Sequence, residues 1–291
     1  MIRFQDFYKS GATTLSLEVF PPKTPLGVQH LFQELQKLKT INPAFVSVTY
    51  GAMGSTRELT RDLVLRIRDE LKHVVAFHFT CVGFGRSDIE AYVTDLANHG
   101  LNLVVALRGD KPTDDTNYQA PADGFHFASE LVEYLNGFGR FSMAVAGYPE
   151  KHLEALSFES DLANLKRKVD AGGEIVLTQL FFDNRHFYSY VERVRSLGVK
   201  CPIVAGIMPL QNVKQADRLI KMCGATLPDQ LAGQLAKYQD DPETVFQIGI
   251  EHAIAQCQDL IDHGVAGIHF YSLNKADAVL RVVQGCRFQS H

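Results

Sequence analysis

A chain of 291 residues, 46% hydrophobic, 21% charged and with a formal net charge of -4, has the make-up of a water-soluble globular protein. The mild acidity offers no footing for nucleic acid or an anionic membrane, no apolar run is long enough to span a bilayer, and the opening MIRFQDFYKS lacks the apolar core of a secretory signal. The odd number of well-spaced cysteines (Cys81, Cys201, Cys223, Cys257, Cys286), with no CxxC, indicates reduced thiols in a cytoplasmic protein and no metal site.

Strand-like and helix-like segments alternate along the chain. Ser16–Phe20 reads as a strand stopped by Pro21-Pro22, and Val28–Leu38 as a helix with apolar residues at helical spacing. Phe45–Thr49, Val75–Thr80 and Leu103–Leu107 follow as strands, separated by helices over Ser55–Lys72 and, from a capping-box spacing at Ser87–Glu90, to about Asn98. A helix over Phe127–Asn136, a strand over Phe141–Ala146, and a helix over Phe158–Ala171 closed by Gly172-Gly173 come next. The remaining strands are Ile175–Gln179, Ile203–Ile207 and Ile268–Tyr271. The remaining helices are Asn184–Leu197, Asn212–Cys223, an extra one from Pro228, Thr244–His263 and Lys275–Cys286. Eight strand–helix units predict a single (β/α)8 barrel domain over residues 1–291, a TIM barrel of the α/β class with extra helices near its C-terminus; a doubly wound open sheet is the alternative.

Strand alternation then predicts which side chains meet inside. Glu18 opposes the aliphatics Leu17 and Val19 and points inward; His78 and Tyr271 share the inward faces of their strands, and Arg108 is placed with Val104 and Ala106. A polar set of Glu18, Thr49, His78, Arg108, Asp110, Gln179 and Tyr271 converges at the C-terminal ends of strands, the catalytic face of this architecture. Taken singly, each has a plainer role: Glu18 as an ion-pair partner of Arg108, His78 as a hydrogen-bonded core residue, Tyr271 as packing. No GxGxxG follows the first strand, and P-loop, HExxH and GxSxG motifs are missing. On the helix Phe158–Ala171, Asp161, Asn164 and Lys168 share a polar face beside Arg167, just past the loop Ala146–Glu150; such a face is either solvated or able to hold a diphosphate and a ribose.

The segments LEVFPPK, FVSVTYGA, FHFTC, VALRGD, AGYPEKH, DLANLKRKVDAGG, LTQLFFD, GIMPLQNVKQA and IHFYSLNK, in that order, make the chain resemble the short bacterial methylenetetrahydrofolate reductases over nearly its whole length. The resemblance implies an oxidoreductase that reduces 5,10-methylenetetrahydrofolate to 5-methyltetrahydrofolate by ping-pong hydride transfer, with FAD rather than FMN and with NADH or NADPH as electron donor. It places Glu18 as general acid and Asp110 as the carboxylate between flavin and pterin. Thr49, Tyr50, Ala52, His78, Arg108, Gly109, Asp110, Ala128, Tyr148, His152, Asp161, Asn164, Arg167 and Lys168 fall at its flavin positions. Gln179, Gln215, Tyr271 and Lys275, with Asp110, fall at its substrate positions. It also implies a homo-oligomer and no regulatory domain. Departures are Lys23 and Lys275 in place of arginines, Leu219 in place of a phenylalanine, and a longer Lys111–Phe125 segment. The chemistry asks for a glutamate kept protonated near neutral pH, which desolvation and nearby negative charge would provide. Two other functions stay open: a pterin-binding barrel that passes a methyl group to a corrinoid partner, and a silent subunit of a larger redox assembly.

Overall fold

Eight parallel strands pair in sequence order, and the last returns to the first. The strands are β1 (Thr14–Val19), β2 (Val46–Val48), β3 (Val75–Thr80), β4 (Leu103–Leu107), β5 (Ser142–Gly147), β6 (Gly173–Thr178), β7 (Ile203–Ile207) and β8 (Gly267–Tyr271). Thr14 sits opposite Gly267 and Glu18 opposite Tyr271, so the sheet closes and leaves no edge, which excludes the doubly wound alternative. The computed structural model describes residues 1–51, 57–110 and 121–288, without the side chain of Leu219. Around the barrel lie α1 (Pro25–Leu38), α2 (Arg57–Leu71), α3 (Arg86–Asn98), α4 (Ala128–Gly137), α5 (Phe158–Asp170), α6 (Asn184–Ser196), α7 (Val213–Cys223), α8 (Asp229–Lys237), α9 (Pro242–Asp262) and α10 (Asp277–Gly285).

The period of two divides each strand between two cores. Val46, Val48, Phe77, Phe79, Val145 and Phe270 face the helices, in one apolar layer with Leu35, Ile67, Val93 and Leu260. Ala76, Leu103, Val105, Ala144, Ile175, Leu177 and Val204 fill the barrel. Helix ends are set by local chemistry: Thr24, Ser157, Asp183, Asn212 and Asp241 accept backbone N–H bonds as N-caps, and Gly224 (φ 69°) ends α7 in the left-handed region.

A 3-10 turn, Phe4–Tyr8, closes the N-terminal mouth. Phe4 is fully buried, its N–H donates to Ser142 Oγ (2.8 Å), and its ring meets Phe45 edge-on at 5.1 Å. Gly267 leaves room for this plug, since a Cβ there would lie 2.8 Å from the Tyr8 ring.

The expected elements exist, with shifted ends. Strand one begins at Thr14 and stops before Phe20, and the last helix begins at Asp277, leaving Lys275 in the preceding loop. The capping box at Ser87–Glu90 is not used. Helix α3 starts two residues earlier, with Gly85 rather than Ser87 as N-cap, and Asp123 accepts from Arg86 N (3.2 Å), so the capping carboxylate comes from a distant loop. Ser55, Ala52 and most of Lys111–Phe125 lie outside the described residues.

Replacing Phe4 by Ala should cost about 3–5 kcal/mol of unfolding free energy, the usual result of emptying a buried aromatic site. Urea denaturation checks this, and a loss under about 1 kcal/mol would mean that the barrel does not depend on its plug.

Candidate functional site

Three strands bring one carboxylate between two imidazoles inside the barrel. Glu18 Oε2 lies 3.3 Å from His78 Nε2 and 3.5 Å from His269 Nε2. Below them, Ser16 Oγ meets His269 Nδ1 at 2.8 Å, and Ser47 Oγ lies 3.3 Å from His78 Nε2 and 3.5 Å from His269 Nε2. Phe45 stacks beneath His269, which joins this polar layer to the plug. Exposure of the side chains rises from 0% at His269 to 9% at His78 and 19% at Glu18, so the carboxylate is the member nearest the open mouth. Burial pushes the Glu18 carboxyl up, but the positive field of His78 and the hydrogen bonds of His269 and His78 outweigh it and hold it down at about 2. This reverses the expectation of a carboxyl raised by burial: its near neighbours are imidazoles rather than carboxylates. The plainer alternative, a Glu18–Arg108 pair, is not seen among the described residues, because Arg108 points to Glu154 instead.

Arg108 faces a cleft of about 600 Å³ at the C-terminal ends of β4 and β5, beside α4 and α5. Val104 and Ala106 pack in the outer layer while Leu103 and Val105 fill the barrel, so the face assigned to Arg108 from the sequence is the outward one. Its Nη1 donates to Glu154 Oε2 (2.6 Å) and its Nε to Gly109 O (3.1 Å). The cleft is also lined by Ala128, Tyr148, His152, Asp161, Asn164, Arg167 and Lys168. Capping by Ser157 starts α5 just short of Asp161, whose carboxylate accepts from His152 N (3.0 Å). Arg167 donates to Asn164 Oδ1 one turn away. Lys168 Nζ donates to Ala146 O (2.6 Å). Lys168 is half-buried, and desolvation of its amine, only partly offset by Asp161, brings it down to about 8. Burial and the nearby Arg108 charge also lower His152.

The rim joins the two regions. Gly109 (φ 84°) turns the chain after β4 and packs so closely on Thr80 that a Cβ would lie 2.8 Å from it. Asp110 follows, exposed, within the field of Arg108. Thr49 N donates to Val19 O, at the ends of β1 and β2. Gln179 N donates to Gly147 O (2.7 Å), next to the cleft loop. The Tyr271 ring crosses the space left by Gly206, and its hydroxyl donates to Thr178 O (2.7 Å). Lys275 Nζ reaches Gln211 Oε1 (3.3 Å), and Gln211 N donates to Gln215 Oε1, so these rim residues form a chain.

Tyr50, a flavin position by resemblance, turns its side chain away from the cleft. It follows Val48 on the outward face, packs against Phe79 and Tyr92, and burial pushes its hydroxyl up to about 12; its side chain is not in the cleft. Ser16, Ser47 and His269 were missed. Each lies two residues before a predicted site residue on the same strand face, a signal available from the sequence.

The sequence profile of the methylenetetrahydrofolate reductases matches residues 3–286. The chain belongs to that family. Among similar members is the 5,10-methylenetetrahydrofolate reductase of Escherichia coli, 36% identical over 267 residues that cover 92% of this chain and 88% of the relative. Methylenetetrahydrofolate reductase (NADH) 1 of Arabidopsis thaliana is 36% identical over 277 residues, covering 91% of this chain and 47% of the relative. The chain thus spans about half the length of the plant and fission-yeast family members it matches. A Clostridium thermocellum protein that binds two copies of 5-methyl-5,6,7,8-tetrahydrofolic acid superposes with a TM-score of 0.66 over 98% of both chains; at 11% identity this is a likeness of fold.

If the cleft takes a diphosphate, the Lys168 amine makes that binding depend on pH. A diphosphate raises the amine's pKa, so above pH 8 binding must take up a proton. The affinity for ADP should be constant just below pH 8 and fall by up to about tenfold per unit above it, towards the ordinary lysine value of ~10.4. Lys168→Met should flatten the profile. Calorimetric titration decides, and a flat wild-type profile up to about pH 10 would separate Lys168 from the anion.

Proposed function

We propose that this chain reduces 5,10-methylenetetrahydrofolate to 5-methyltetrahydrofolate with electrons from NADH or NADPH, using FAD in the cleft and so supplying methyl groups for methionine synthesis. The observation that carries this is a juxtaposition in a member of this family: a cation-lined cleft beside a barrel mouth that holds a carboxylate between two imidazoles. The NADH in the names of the plant relatives favours NADH. The residues present fit a flavin dinucleotide. Arg108, Arg167 and the Lys168 amine suit a diphosphate, and Asp161 and Asn164 suit ribose hydroxyls. Thr49 and His78 stand towards the barrel mouth, and the close packing of Gly109 on Thr80 lets backbone approach a flat ring. FMN would leave part of this set without a partner.

FAD, when bound, supplies the hydride relay between the two substrates. The chain's own contribution is a proton at N10 of the folate, which makes the methylene carbon a good hydride acceptor. Glu18 held ionised is not a ready acid alone; the acid is the carboxylate with its imidazoles. The imidazole nitrogens 3.3 and 3.5 Å from Glu18 Oε2 are placed to share a proton with it. The most exposed member of the three then carries the proton at the mouth. A substrate over the mouth excludes water and further favours the neutral carboxyl. Asp110, exposed at the rim, stabilises positive charge that develops on the folate. Gln179, Gln215, Tyr271 and Lys275 orient the substrates along the same rim.

Glu18→Gln separates the two half-reactions. The variant should bind FAD and accept electrons from NADH at a near-normal rate, and its reoxidation by methylenetetrahydrofolate should slow by roughly 10²–10⁴-fold, the usual weight of general acid catalysis. Stopped-flow spectroscopy follows each half. Folate reduction at the wild-type rate removes Glu18 from the chemistry, and equal impairment of both halves makes it a structural ion-pair member.

A further inference from the structure

The loop between β5 and α5 carries Tyr148, His152 and Glu154 over the cleft, and two of its anchors are groups of the cleft itself. His152 N donates to Asp161, and Glu154 accepts from Arg108. A ligand that uses Arg108 and Asp161 competes for both. Glu150 makes a third anchor on the loop's other side. Its carboxylate accepts from Thr226 N (3.0 Å) and from Thr226 Oγ1 (2.5 Å), 76 residues away between α7 and α8, and lies 3.6 Å from His186 Nε2 on α6. The Glu150 side chain is 10% exposed, and none of its three partner atoms belongs to a residue lining the cleft. Beside it, Leu153 packs on Gly224 so closely that a Cβ there would lie 2.6 Å from Leu153 Cδ2.

We propose that Glu150 is a positioning residue for the cleft: it docks the β5–α5 loop onto the turn after α7 through bonds that ligand entry leaves intact. This rests on the reading of the cleft as the FAD site. Charged hydrogen bonds of this kind hold a loop more firmly than neutral ones. With the anchor cut, His152 loses its fixed place while the cationic wall is unchanged, so the ligand should escape faster.

The test uses the full chain reconstituted with FAD, reading flavin release by fluorescence and backbone amide exchange over residues 149–156. Glu150→Ala should speed release about tenfold or more and accelerate exchange in the loop. Glu150→Gln keeps an oxygen for Thr226 N–H but loses the charge, so its release should fall between wild type and Glu150→Ala; release from Glu150→Gln as fast as from Glu150→Ala would mean that charge alone holds the loop. Thr226→Val, which removes one bond and keeps the fold, should speed release at least about threefold, and adding it to Glu150→Ala should have little further effect. Wild-type release from Glu150→Ala overturns the inference while leaving the flavin reading in place. If Glu150→Ala does not fold, wild-type release from Thr226→Val does the same. A wild-type chain that takes up no FAD overturns both.

Discussion

A carboxylate set between two imidazoles is the interaction around which the barrel interior is arranged. Register produces it: β1 lies against β8 with Ser16 opposite His269 and Glu18 opposite Tyr271, and β2 lies against β1 with Ser47 opposite Glu18. A slip of one residue on β1 would turn Glu18 into the helix layer and bring Leu17 or Val19 inside. Such a group is costly to bury unless it is paired and hydrogen-bonded, and here Ser16 and Ser47 below lie within hydrogen-bond reach of the ring nitrogens. The plug of Phe4 and Phe45 seals one end of this layer, so its polar groups face only the open mouth.

The cleft beside the mouth obeys different rules. It lies outside the barrel lumen, where a strand end, a long loop and the polar face of α5 meet, and its cations are held by groups an incoming anion can replace: Glu154 on Arg108, a carbonyl on Lys168 and an amide on Arg167. The Lys168 amine bears its charge at a cost in this setting, which favours a ligand that restores it. On the proposed reading, proton chemistry belongs to the lumen and anion binding to the cleft, with Gly109 and Asp110 at the boundary.

Most strands and helices were legible because the strands are aliphatic on both faces and the helices carry one apolar stripe. The same feature hid the phase of β4: with Leu103, Val104, Val105 and Ala106 all apolar, alternation could not say which side Arg108 would take. The plug was invisible because a five-residue turn has no period, and the Asp123 cap because it is a tertiary contact. Glu18 was readable as an inward carboxylate among aliphatics. Its ionisation was not, since that depends on His78 and His269, which other strands bring within 3.3 and 3.5 Å of it. The positions along α5 became specific through family resemblance, which names positions and not side-chain directions: the Tyr50 ring packs on Phe79 and Tyr92 in the outer layer.

The most direct test of the account is the visible spectrum of the purified chain under anaerobic conditions, first alone or with added FAD, then with NADH, then with methylenetetrahydrofolate. The account predicts a yellow protein that NADH bleaches and the folate restores, with 5-methyltetrahydrofolate formed in proportion to the flavin reoxidised. A chain that takes up no flavin, or whose reduced flavin the folate leaves unchanged, would contradict it.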